Sequence, residues 1–158
     1  MKTIKIEIKW ALIFLLMTLA WMFLEKLVGL HSIHIDKHPF YTMFYMVPAI
    51  LVYVLALKDK KENFYNGQMN YLQAFISGLI LTGIITLLTP LSQYIVSTWI
   101  TPSYFQHAIA YAIKNTQMDA ATAEEYFSLK NYIIQGVMGA PIMGTITTAI
   151  VAFFLRAK

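Results

Sequence analysis

The sequence predicts an all-α integral membrane protein with four transmembrane helices and an interfacial amphipathic helix between the third and fourth. Three observations carry this. Hydrophobic residues are 58% and charged residues 13% of the 158, about half the charge a soluble domain uses to cover its surface. The apolar residues fall in four long continuous runs rather than alternating, so they fit helices and not a closed barrel, the other backbone that satisfies its polar groups in lipid. The basic residues are spread unevenly around those runs, as in a multi-pass protein. This composition excludes disorder and a soluble enzyme domain. Despite the net charge of +4, the twelve scattered Lys and Arg form no phosphate footprint, and no nucleic-acid partner is expected. With no cysteine, disulfides, thiolate zinc sites and iron–sulfur clusters are excluded.

The first span covers about residues 10–30, from WALIFLLMTLAWMFL past Glu25 and Lys26. Three lysines precede it, and Thr18-Leu19-Ala20 loosely resembles a signal-peptide cleavage site. The apolar run continues through Trp21, Met22, Phe23 and Leu24, so a retained span is expected. The connector HSIHIDKH follows. The second span, about residues 40–57, is just long enough for a ~30 Å hydrocarbon core. A polar loop, KDKKENFYNGQMNY, comes next, with Asn66-Gly67 marking a turn. The third span, about 72–100, is long enough to tilt or to kink at Pro90.

Residues 101–131 exceed an ordinary connector. Within them Tyr104, Phe105, Ala108, Ile109, Ala112 and Ile113 share one helical face, which predicts an amphipathic helix in the membrane interface. Thr122, with Glu125 three residues on, has the spacing of a capping box opening a short helix. The fourth span covers about 132–155. Eight of the twelve basic residues (Lys2, Lys5, Lys9, Lys58, Lys60, Lys61, Arg156 and Lys158) flank the ends sharing a side with both termini. Lys26, Lys37, Lys114 and Lys130 are spread over the longer loops opposite. The positive-inside rule then places both termini in the cytoplasm.

The third span carries Ala74, Gly78, Thr82, Thr86 and Pro90 at intervals of four; the fourth carries Gly136, Ala140, Gly144, Thr148 and Ala152. Residues four apart share a helix face, and small-residue ridges let backbones approach closely in lipid. Spans three and four are expected to form the tight centre, with one and two outside. A ridge facing a second copy, giving a homodimer, is the competing arrangement.

Polar groups inside lipid are the functional suspects. Glu25 stands about 22 Å along the first span from Trp10 at the helical rise per residue. Gln93 and Gln135 fall at a similar depth on neighbouring spans, so the three, with Ser97, form a candidate outward polar cluster. The simpler expectation is a carboxylate snorkelling beside Lys26. His31, His34, Asp36 and His38 are residue types that ligate divalent metals. In an extended chain 34, 36 and 38 share a face. Their spacing matches no zinc signature, and a solvated loop with no metal or other cofactor is expected. No Ser/His/Asp order, phosphate loop, nucleophile elbow or HExxH motif occurs, so no enzyme is predicted.

The run NGQMNYLQAFISGLILTGIITLL and the later IVSTWITPSYF resemble the bacterial family catalogued as domain of unknown function 4199. The likeness rests on Gly67, on Leu72-Gln73-Ala74-Phe75, on Gly78 and on Ile100-Thr101-Pro102, where Thr101 departs from the family's commoner Asn. It spans essentially the whole chain. It implies a small four-span protein of the bacterial inner membrane, and no activity, cofactor or functional residue.

The expected function is a structural or accessory membrane component whose partners are the lipid bilayer and a second copy or another membrane protein. The alternative is a minimal dimeric transporter with Glu25 coupling protons or cations. The comparison is with small four-span exporters, whose first-span glutamate lies near mid-membrane and whose loops are short. Here Glu25 is near one end and a loop of about 30 residues separates the last spans, which weakens that alternative.

Overall fold

Each predicted span is a helix, and the helix ends show why they start and stop where they do. The computed structural model describes residues 4–157; Lys2 and Lys158, both used to orient the chain, lie outside them. Helix α1 (Lys5–Leu27) begins five residues before Trp10, because Glu7 turns inward and is buried. It ends in a Schellman motif: Gly29 adopts φ +78°, its N–H donates to the Lys26 carbonyl, and the Leu30 N–H reaches back to the Glu25 carbonyl, both at 3.0 Å. The second span opens with α2 (His38–Tyr41), which has a proline in its first turn. A 3₁₀ segment (Thr42–Tyr45) leads into α3 (Met46–Asn63). Helical residues after Leu57 carry this span beyond its apolar run into the lysine-rich loop. The turn at Asn66-Gly67 forms as expected, with φ +49° and +83°.

Helix α4 (Tyr71–Ile95) starts on a capping box: Asn70 accepts from the Gln73 N–H, and the Gln73 side chain accepts from the Asn70 N–H. Pro90 lies inside it, and a π-helical segment (Val96–Ile100) closes the span with a 2.7 Å Thr101-to-Val96 backbone bond. Helix α5 (Tyr104–Thr116) matches the predicted amphipathic segment and ends at Gln117 in the left-handed region, φ +56°. Helix α6 (Ala120–Tyr126) is capped by Asp119 rather than by the expected Thr122–Glu125 pair. The Asp119 carboxylate accepts from both the hydroxyl and the N–H of Thr122, which hold its pKa below the usual carboxylate value. Helix α7 (Leu129–Leu155) follows a Ser128 cap. Four helical spans, Lys5–Leu27, His38–Asn63, Tyr71–Ile100 and Leu129–Leu155, are long and apolar enough to cross a membrane, and no strand occurs among the described residues.

Helices α4 and α7 form the centre, and their ridges mesh in antiparallel register. Gly78 lies against Thr148, Gly144 against Thr82, and Gly136 against Thr89. Ala74 and Ala152 meet in one core cluster. That register sets Thr86 opposite Ala140. The ridges thus face each other within the chain. Gly83 and Gly139, off the ridges, face open space. Helix α1 packs through Ala11 on α3 and α4, where Tyr53, Ala56, Leu81 and Ile85 complete a cluster. The second span is less peripheral than expected: the Tyr53 hydroxyl enters the α4–α7 seam, 2.9 Å from Thr82 Oγ1.

Two carboxylates near the end where α1 begins and α7 finishes are paired. Glu7 holds Lys60 at 2.9 Å and accepts from the Ser77 hydroxyl at 2.6 Å. Asp59 accepts from Lys9 at 2.6 Å and from the Trp10 indole at 2.7 Å.

Candidate functional site

At the opposite end of the bundle the chain assembles a buried carboxylate between two imidazoles. The Schellman turn after α1 reverses the chain so that His31 returns over Glu25, the residue at the C3 position of that motif. Irregular turns through residue 37 then bring His38, at the start of α2, to the same point. The Nε2 atoms of His31 and His38 lie 3.0 and 3.3 Å from one oxygen of Glu25, Oε2. The Trp21 indole, one turn earlier on α1, donates to the other oxygen at 2.6 Å. Glu25 is 3% exposed, His31 6% and His38 18%. Without a bound cation, the imidazole N–H groups donate to the carboxylate. Lys26 and Lys37 are exposed, and among the described residues Glu25 forms ion pairs with the two histidines alone.

Helix α5 roofs this cluster. The Tyr104 ring sits 5.1 Å from His31 and 5.3 Å from His38, centroid to centroid. Its hydroxyl is 3.0 Å from that of Tyr132. Burial, reinforced by Tyr132 and by the Glu25 charge, pushes the Tyr104 phenol far above its ordinary pKa, so it stays neutral. His107 Nδ1 lies 3.0 Å from the His31 carbonyl. A carbonyl only accepts, so this nitrogen carries the proton.

The candidate residues divide differently from the grouping by depth. Glu25 neither snorkels beside Lys26 nor hydrogen-bonds Gln93 or Gln135. Gln93 lines a separate cavity, and Gln135 is exposed. The histidine connector is not a wholly solvated loop: His34 and Asp36 are exposed, but His31 and His38 fold inward. The anticipated 34/36/38 face does not form, because the chain there turns rather than extends. Glu25, His31 and His38 instead form a three-ligand group whose donor atoms all lie within 4.8 Å of one another.

The separate cavity, of about 500 Å³, lies between α1, the second span, α4 and α7. Exposed Met43, Met46 and Met143 stand at its rim, and the hydroxyls of Thr18, Tyr45 and Tyr53 are among its few polar groups. All three are engaged: Thr18 and Tyr45 hydroxyls are 2.7 Å apart, and Tyr53 pairs with Thr82. Glu25 does not line it.

Sequence reasoning missed Glu7 entirely, although it is 2% exposed. No local pattern points to Lys60 and Ser77, which lie 53 and 70 residues away. No curated protein and no solved structure matches the chain. A family model described as protein of unknown function (DUF4199) matches residues 9–157. With its four apolar helices and nearly its whole length matched, the chain belongs to this family.

Proposed function

We propose that this is a non-enzymatic accessory protein of the bacterial inner membrane, with both termini cytoplasmic and α5–α6 facing outward as a docking platform for another membrane protein. The observation that carries the reading is the immobilised polar interior. Glu7 is bound by Lys60 and Ser77, and Glu25 by Trp21 and two histidines. A coupling carboxylate must reach a pathway, yet Glu25 does not line the cavity between α1, the second span, α4 and α7. The meshed α4–α7 ridges favour a rigid core over a rocking one. The described hydroxyls engaged in hydrogen bonds meet backbone groups, Glu7, Asp119 or another hydroxyl, and none pairs with a histidine as a nucleophile would.

The basic bias toward the terminal end supports cytoplasmic termini. Helix α5 supports an interfacial position by burying Ala108 and Ala112 while Lys114 stays exposed. Because the ridges are consumed within the chain, the expected partner is a different protein rather than a second copy. Gentle in-cell crosslinking through Lys114 and Lys130, followed by native mass spectrometry from nanodiscs, tests this. A distinct integral membrane protein should co-purify in stoichiometric amount. A bare monomer or a pure homodimer would overturn the reading.

A further inference from the structure

We propose that Glu25, His31 and His38 bind one divalent first-row transition ion, of which Zn²⁺ is the reference case. Two imidazoles and a carboxylate form a hard-to-borderline donor set suited to such an ion and poor for Ca²⁺ or Mg²⁺, which prefer all-oxygen shells. The spacing fits. Tetrahedral zinc bonded at about 2.0–2.1 Å to two ligands holds those donor atoms about 3.3 Å apart. Glu25 Oε2 lies 3.0 Å from one imidazole Nε2 and 3.3 Å from the other, so an ion enters with small side-chain adjustments.

The surroundings fit as well. The Trp21 indole fixes the far carboxylate oxygen at 2.6 Å, the kind of outer hydrogen bond that orients a ligating carboxylate. The carboxylate is buried, and no lysine or arginine among the described residues forms an ion pair with it, so its charge calls for a cation at the position where the two Nε2 atoms point. Three protein ligands leave a fourth position for water, beneath the Tyr104 ring. Binding moves each imidazole proton to Nδ1. In His31 that atom is buried with no protein hydrogen-bond partner, which sets an affinity below that of a closed four-ligand structural site. The proposal does not depend on the accessory reading: a metal can rigidify this end whether or not a partner docks there.

The test uses the full chain in detergent or nanodiscs, stripped with chelator and titrated with Co²⁺ and then Zn²⁺. One Co²⁺ per chain should bind with the visible absorption of a tetrahedral ion, and Zn²⁺ should displace it and raise the unfolding temperature. His38→Ala should weaken binding at least about 100-fold, since loss of an outer hydrogen bond alone costs 10–100-fold. His34→Ala, whose side chain is exposed, should leave binding unchanged. Glu25→Gln should abolish it. If that variant does not fold, as circular dichroism would report, His38→Ala carries the comparison, because His38 is the most exposed of the three ligands. Sub-stoichiometric Co²⁺ at saturation, unchanged binding in His38→Ala, or equal loss in His34→Ala would overturn the proposal and leave a hydrogen-bonded structural cluster.

Discussion

Individual charges decide the two ends of this bundle, and both carboxylates that matter are buried. Glu7 reaches Lys60 across helices, with Ser77 completing its shell. Removing one member of a buried ion pair costs about 3–5 kcal/mol, whereas replacing both with apolar groups of similar size is near neutral. Glu7→Ala should therefore destabilise by about 3–5 kcal/mol in reversible denaturation from mixed micelles. Glu7→Leu combined with Lys60→Met should recover most of the loss; no recovery would show that the charge pair is not the source. Glu25 was legible as an anomaly in the sequence, because a carboxylate in an apolar span is costly. Its partners were not legible by depth. They come from six and thirteen residues downstream through a glycine turn whose positive φ makes the reversal possible. The Gly29 C-cap preceding a histidine was the available signal. Glu7 carried no signal, since a lone acid among Lys2, Lys5 and Lys9 reads as solvated tail.

The helices themselves were largely readable, because lipid removes most alternatives to an apolar helix. Their ends moved where polar residues keep helical geometry: Glu7 inside the first turn of α1, and Lys58 to Asn63 at the end of α3. The α6 cap shifted from Thr122 to Asp119 because a carboxylate accepts two bonds from Thr122 at once. The four-residue ridges were also readable, and the structure adds their partner and register: each ridge glycine, Gly78, Gly136 and Gly144, receives a threonine of the other helix. A Cβ on Gly144 would meet Thr82 Oγ1 and the Tyr53 hydroxyl at 2.6 Å, and one on Gly78 would collide with Thr148. Gly78→Ala should thus cost about 1–3 kcal/mol by overpacking. In a double-mutant cycle, Thr148→Ala should relieve part of that cost, giving a coupling of about 0.5–3 kcal/mol. Gly83→Ala, which meets nothing within 4 Å, should be neutral or stabilising by about 0.4–1 kcal/mol. Equal destabilisation at positions 78 and 83 would rule out the ridge as the close-packed seam.

At the scale of the whole molecule, sparse charge, a close-packed centre and two chemically distinct ends are the features on which the proposed scaffold role rests. One end gathers the start of α1, the close of α7 and the Glu7 and Asp59 ion pairs; the other gathers the carboxylate–imidazole cluster under α5. The reading requires the second end to face away from the cytoplasm, where a partner or an ion can reach it. The native sequence has no cysteine, so single cysteines report topology without background. Exposed Glu62 lies in the lysine-rich segment at the end of α3, and exposed Lys114 lies on α5. In intact cells a membrane-impermeant maleimide should label Lys114→Cys at once, and Glu62→Cys only after permeabilisation. The reverse pattern, or labelling of both in intact cells, would contradict an outward-facing platform on a four-span protein with cytoplasmic ends.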